Sequence, residues 1–449
     1  MASAAEQLAA NINLGAFAKA TELKKRIWFT LGALVVYRLG TYIPMPGIDP
    51  QVLQDIFHQN AGGILGMFDI LAGGALQRMT IFALNIMPYI SSSIIIQLLT
   101  AVSPRLEALK KEGEAGRKVL NQYTRYGTVL LAAVQAYGIA VGLEGAHSQT
   151  GAAVLDPGIF FRLTTVVTLV GGTVFLMWLG EQITARGIGN GISLIIFSGI
   201  VAGLPHALVG TLELGRTGAL STGVILFLLI MVIAVVGFIV FMERAQRRIL
   251  VQYPKRQVGN RMFGGDSSHL PLKLNTSGVI PPIFASSLLL LPATVAGFSG
   301  QSADRPAWLS WLANNLAHGQ PLYMALYIGL IAFFAFFYTA IVFNPAETAD
   351  NLKKYGGFIP GIRPGKNTAD YLDYVLTRLT AIGAIYLAVI CALPELLISQ
   401  YSVPFYFGGT SLLIVVSVTM DTVAQIHSHL LAHQYEGLIK KAKLRGRRG

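Results

Sequence analysis

GIRPGKNT (361–368) is the stretch that comes nearest to chemistry, a glycine-rich turn ending in Lys366 of the kind that cradles phosphates. Its spacing fails. Three residues separate Gly361 from Gly365 where a phosphate loop needs four, no Ser or Thr follows Lys366 directly, and no apolar strand leads in. GIGNG (187–191) is a glycine turn between two apolar runs, not a dinucleotide site. Of His427, His429 and His433, only the last two share a helical face, too little for a metal. Cys391 is the one cysteine, so no disulfide can form within the chain, and in its apolar run it behaves as a small hydrophobe. No nucleophile, base or metal constellation emerges. The expectation is therefore no catalytic residue, no cofactor and no metal, which speaks against a membrane-embedded enzyme. Carboxylates deep in apolar runs are nearly absent, Glu395 and Asp421 lying near run ends. A proton-driven transporter would use such intramembrane carboxylates.

The elements that carry these residues are membrane spans. Of 449 residues only 12 % are charged and 53 % are hydrophobic, about half the charge of a soluble domain. Ten runs reach spanning length: 27–43, 79–101, 126–143, 159–180, 191–209, 221–242, 277–297, 321–343, 379–398 and 405–425. They lack the short alternation of barrel strands and read as helices. With the N-terminus in the cytoplasm, 29 of the 34 Lys and Arg residues fall in cytoplasmic segments, which orients ten spans with both termini inside. The five exceptions are Arg38, Arg78, Arg162, Arg216 and Arg305. Residues 1–26 read as an amphipathic cytoplasmic segment leading into a membrane anchor, and 426–449 as a basic cytoplasmic tail. Two cytoplasmic loops, 243–276 and 344–378, are longer than topology requires and rich in Gly, Pro and Arg. They suggest docking of something large and anionic, beyond the attraction of such residues to anionic lipids.

Ten spans divide into halves, 27–209 and 221–425, joined by an extracytoplasmic linker at 210–220. Five spans per half inverts the second half, a plan of proteins that open a path through the bilayer. Each half carries a proline-interrupted second span: Pro88 in one, Pro281 and Pro282 in the other. Each proline removes an N–H and crowds the carbonyl four residues back, namely Leu84, Ser277 and Gly278. Small polar residues such as Ser91, Ser92, Ser93, Ser286 and Ser287 line both spans. Ahead of the first interrupted span lies NAGGILGMFDILAGGAL (60–76). Its apolar core, Ile64 to Ala72, is about half of what a spanning helix needs, and Gly73 and Gly74 tie it to the next span.

The chain closely resembles the SecY family, channel subunits of the bacterial protein translocase. The resemblance rests on IPMPGID (43–49), NIMPYISSSIIIQLL (85–99), KKEGEAGR (110–117), QYTRYGT (122–128), WLGEQITARGIGNGISLIIF (178–197), HLPLKLNTSGVIPPIFASS (269–287), FNPAETADNLKK (343–354), PGIRPG (360–365) and PFYFGGTSLLIVV (404–416). Family members often have Ala or another residue at the position of Pro282. The implied fold is an all-α polytopic membrane protein with ten transmembrane helices in two inverted five-helix halves around a central pore. The short segment at about 64–76 would be a re-entrant plug, with Ile64, Leu65, Gly66, Met67, Phe68, Asp69, Ile70 and Leu71 forming its helix. Glycines cost a helix roughly 1 kcal/mol each relative to alanine, and an element that must leave its seat is held weakly.

The resemblance further implies a pore ring of Ile86, Ile90, Ile192, Ile196, Ile283 and Ile414. Spans 2 and 7 become a lateral gate containing Pro88, Ser91, Gln97, Asn275, Pro281 and Pro282, with Gln97 and Asn275 in one polar cluster across the seam. The two loops become docking sites for the motor ATPase SecA and the translating ribosome, through Arg247, Arg248, Lys255 and Arg256 in the first and Arg363 and Lys366 in the second. Further implied partners are SecE and SecG, SecDF and YidC, signal sequences and anionic lipids. The implied location is the bacterial cytoplasmic (inner) membrane, and ATP hydrolysis belongs to SecA.

Overall fold

A computed structural model describes residues 20–53, 69, 72–145, 147–148, 151–217, 221–253, 256–258, 261–263, 267–298, 315, 320–401 and 409–445. Its contacts divide the chain into two compact units, 20–203 with 418–445, and 204–417. The expected boundary at 209/210 thus moves into a helix.

In the first unit the helices are α1 (Thr21–Gly40), α2 (Met87–Val102), α3 (Pro104–Lys111), α4 (Glu114–Glu144), α5 (Ile159–Arg186) and the start of α6 (Gly191–Arg216). A two-residue antiparallel pair, β1 (His147–Ser148) with β2 (Gly151–Ala152), joins α4 to α5. α2 packs on α4, α4 on α5 and α1 on α5. The α4–α5 pair is clamped near both ends. Arg125 donates to both carboxylate oxygens of Glu181 at 3.0 and 2.8 Å, and Arg162 donates to Glu144 at 2.9 and 2.6 Å. The bidentate Arg125–Glu181 pair fixes geometry as well as energy, whereas Arg162 closes both of its N–H groups on the single Glu144 Oε2.

GIGNG serves the backbone. Asn190 Oδ1 accepts from the N–H groups of Ile192 and Ser193 at 3.1 and 3.4 Å, capping α6. Gly189, at φ +87°, donates to Gln425 Oε1 at 2.9 Å. A Cβ on Gly191 would run into the Gly180 carbonyl, so the turn needs its glycines for close approach.

The second unit continues α6 and holds α7 (Thr222–Arg244), strands β3 (Gln246–Gln252), β4 (Arg256–Val258), β5 (Arg261–Phe263) and β6 (Ser267–Lys273), then α8 (Ile280–Phe298), α9 (Pro321–Val342), α10 (Pro345–Lys354), α11 (Lys366–Tyr401) and the first turns of α12 (Gly409–Arg445). β3 pairs antiparallel with β6 from Gln246–Lys273 to Gln252–Ser267, and β4 pairs with β5. α8 packs on α9, α9 on α11 and α10 on α11.

Among the described residues seven helices are long and apolar enough to cross a membrane, and the pair α2–α3, bent by 100°, makes up to eight. α1 and α8 coincide with two further expected spans. Exposed large side chains such as Ile159 (87 %) and Trp28 (72 %) fit helices solvated by hydrocarbon rather than water.

Several boundaries differ from expectation. The second span was expected over 79–101, yet 81–86 are turns and the helix begins at Met87. Pro88 therefore sits in the first turn, and Pro281 and Pro282 are likewise the second and third residues of α8. These prolines begin helices and interrupt none, because the first turn leaves its N–H groups unpaired anyway. α6 runs to Arg216, into the expected linker, and α12 runs to Arg445, through most of the expected tail.

The two long loops, 243–276 and 344–378, fold together. Ile249 and Leu272 of the β3–β6 ribbon share a buried cluster with Ile359, Leu372, Val375 and Leu379, and Gln252 bridges to Phe358. α10 starts where Asn344 Oδ1 caps Ala346 and Glu347, with Pro345 at its first position.

Candidate pore, hinge and gate

The isoleucines expected to form a ring occupy the opening turns of four helices. Ile86 is the N-cap of α2 and fully buried, and its carbonyl accepts from Tyr89 and Ile90 at 3.1 and 3.2 Å. Ile90 is buried one turn on. On α6, Ile192 is half-buried and Ile196 buried, on one face at i, i+4. In the second unit Ile283 lies half-buried in the first turn of α8, and Ile414 is buried in the second turn of α12.

Of the expected plug, Ile64, Leu65, Gly66, Met67, Phe68, Ile70 and Leu71 lie outside the described residues. Asp69 is described, and 72–79 form turns where the expected segment ended at 76. Asp69 Oδ1 accepts the Gln77 N–H at 2.7 Å, and its carbonyl accepts from Gly74 at 2.9 Å. Gly73 and Gly74 have φ of +66° and +79°.

Sequence reasoning missed what holds this hinge. Arg38, near the end of α1, and Arg78 both donate to the Gly73 carbonyl, each at 3.1 Å. Both guanidiniums stack over the Tyr42 ring, with their central carbons 5.6 and 4.2 Å from its centroid. Tyr37 reaches the Ala72 carbonyl at 3.5 Å and stacks on Phe82. A Cβ on Gly73 would lie 2.8 Å from both Arg38 Nη1 and the Gly199 Cα of α6, one turn beyond Ile196. A signal was present: Arg38 and Arg78 are two of the five basic residues that break the charge rule.

The expected gate residues are placed as follows. Ser91 is buried in α2. Beside it, Ser92 donates to the Thr124 carbonyl at 2.8 Å, joining α2 to α4. Gln97 donates to Ser93 Oγ at 3.1 Å. Asn275, expected in a polar cluster with Gln97, lies in the second unit, where its amide donates to Glu243 Oε1 at 2.7 Å and to the Gly278 carbonyl at 3.1 Å, and its oxygen accepts from Ser277 at 3.1 Å. Both amide hydrogens are thereby used within one unit.

The expected docking residues Arg247 and Arg248 are exposed on β3, with Ile249 and Val251 buried beside them. Arg256 lies in β4, and Lys255 lies outside the described residues. Arg363 is exposed in a turn between Gly361 and Gly365, at φ +82° and +105°, and its carbonyl accepts from the Thr368 hydroxyl at 2.9 Å. Lys366, exposed, opens α11. Packing on one apolar cluster brings the ribbon that carries Arg247 and Arg248 against the segment that carries Arg363 and Lys366.

The sequence profile of the SecY family matches residues 80–423. A protein translocase subunit SecY of Rickettsia conorii is 58 % identical over 424 residues, covering 94 % of this chain and 97 % of that protein. A SecY structure described as a plug domain that stabilises the closed translocation channel and maintains a membrane seal superposes with a TM-score of 0.62 at 19 % identity, over 91 % of this chain and 92 % of that one. The Sec61 channel of the canine ribosome-channel complex superposes at 0.56 and 16 % identity, again over 91 % and 92 %.

Proposed function

The chain belongs to the SecY family of protein translocase subunits, and from that membership we propose how it works as a protein-conducting channel. Unfolded secretory polypeptides pass through it across the bacterial cytoplasmic membrane, and signal sequences and transmembrane helices leave sideways into lipid. The isoleucines form a ring that excludes water and ions and moulds around a passing chain without reading its sequence. The segment ahead of Gly73 plugs the path and swings on its glycine hinge. α2 and α8 border the lateral gate. SecE and SecG complete a heterotrimer, SecDF and YidC assist, and SecA supplies ATP hydrolysis. SecA and the ribosome dock on the platform of β3 and the 360–366 turn. The contacts with the ribosome are those of cations with a polyanion and weaken with salt.

The observation that carries this reading is 58 % identity to a translocase subunit over 94 % of this chain. The hinge supports it, because a segment tethered by two glycines and a few polar contacts opens at small cost. Locking the gate tests it. Cys391 is buried and is first replaced. Cysteine pairs, one within 86–97 and one within 279–291, are then scanned for oxidation, which needs Cα separations of about 4.4–6.8 Å. The crosslinked pair should stop import of a secretory precursor into membrane vesicles, and reduction should restore it. High crosslinking yield with unimpaired import would refute sideways opening.

A further inference from the structure

The carbonyl of Gly278, just ahead of the first turn of α8, accepts from Asn275 Nδ2 at 3.1 Å. Asn275 and Ser277 are 3 % and 4 % exposed, where an unpaired polar group is expensive. The second amide hydrogen of Asn275 goes to Glu243 Oε1 at 2.7 Å. Glu243 is the penultimate residue of α7, and a carboxylate at a helix C-terminus is opposed by the helix dipole. Its position is unfavourable for α7. The segment between β6 and α8 is pinned again where the Leu274 N–H donates to the Ala245 carbonyl at 2.9 Å. It also packs on α11, where a Cβ on Gly383 would lie 3.1 Å from the Leu274 carbonyl. Gly278, at φ +62°, then turns the chain into α8.

We propose that Glu243 is a positioning residue of the channel: through Asn275 it fixes the first turn of α8, and so sets the threshold at which α8 yields to a signal sequence. The threshold half of this rests on the lateral-gate reading, whereas the positioning half does not.

The test uses the full complex in membranes, with Glu243→Ala, Glu243→Gln, Asn275→Ala and the Glu243→Ala/Asn275→Ala double variant. Hydrogen exchange of peptides spanning 276–288 reads positioning. Import of a precursor with a defective signal sequence reads threshold. Glu243→Ala should speed exchange roughly ten- to a hundredfold, the size of a lost charge-assisted hydrogen bond, and should admit the defective precursor. Glu243→Gln keeps an acceptor for Asn275 and should stay near the parent in both. In the Asn275→Ala background the added Glu243→Ala should change exchange by less than about threefold, because the shared contact is already gone. Additive effects, or unchanged exchange in Glu243→Ala, overturn the positioning role. Faster exchange with signal discrimination intact leaves α8 positioned by Glu243 and overturns its link to gate opening.

Discussion

Gly73→Ala should unseat the hinge and make the channel leak. At φ +66° an alanine sits in the left-handed region at a cost of about 1–2 kcal/mol. Its Cβ would lie 2.8 Å from Arg38 Nη1 and from Gly199 Cα. The guanidinium can swing aside, but the α6 backbone at Gly199 cannot retreat without disturbing the turn that carries Ile196. Overpacking against it adds about 1–3 kcal/mol. The total, roughly 2–5 kcal/mol, corresponds to about thirtyfold or more in the unseated population. Gly74→Ala has φ of +79° but meets only Arg78 Nη2 at 2.8 Å, a movable group, and should leak much less. Gly171→Ala on α5 has no neighbour within 4 Å of the new Cβ and serves as the silent control. Single-channel conductance of the purified complex in planar bilayers ranks the three. Leakage of Gly73→Ala no greater than that of Gly171→Ala would show that the hinge does not hold the seal.

Arg363→Glu should leave membrane levels normal and block motor-driven import into vesicles, because the side chain is exposed in its turn and only its carbonyl is used for folding; normal import would remove it from the docking surface. Replacing Ile86, Ile90, Ile192 and Ile283 with Ser should raise ion conductance at least severalfold by wetting the constriction, while Ser at the lipid-exposed Ile159 or Ile230 should not. The opposite pattern would mean the ring is wrongly assigned.

Sequence alone was enough for the class of protein and the positions of most helices. The reason is physical: a spanning helix must satisfy its own backbone and shed charge over about 20 residues, so length and composition of a single run suffice. The caps at Asn190 and Asn344 are local as well and stand in the sequence beside the helices they start. Pro88, Pro281 and Pro282 show where local reasoning misleads. A proline reads as an interruption until the true first turn is known, and at that turn it costs nothing. The ribbon of β3 and β6 was legible in part, since Ile249 and Val251 alternate with exposed neighbours, but Gly, Pro and Arg around them suggested a plain loop. What only tertiary structure decided are pairings between residues far apart in the chain. Nothing local joins Arg38 to Gly73 or Ile249 to Leu372. Glu243 meets Asn275 because a ribbon folds back on itself and returns the chain to the end of α7, and that return selects which single carboxylate holds the start of α8.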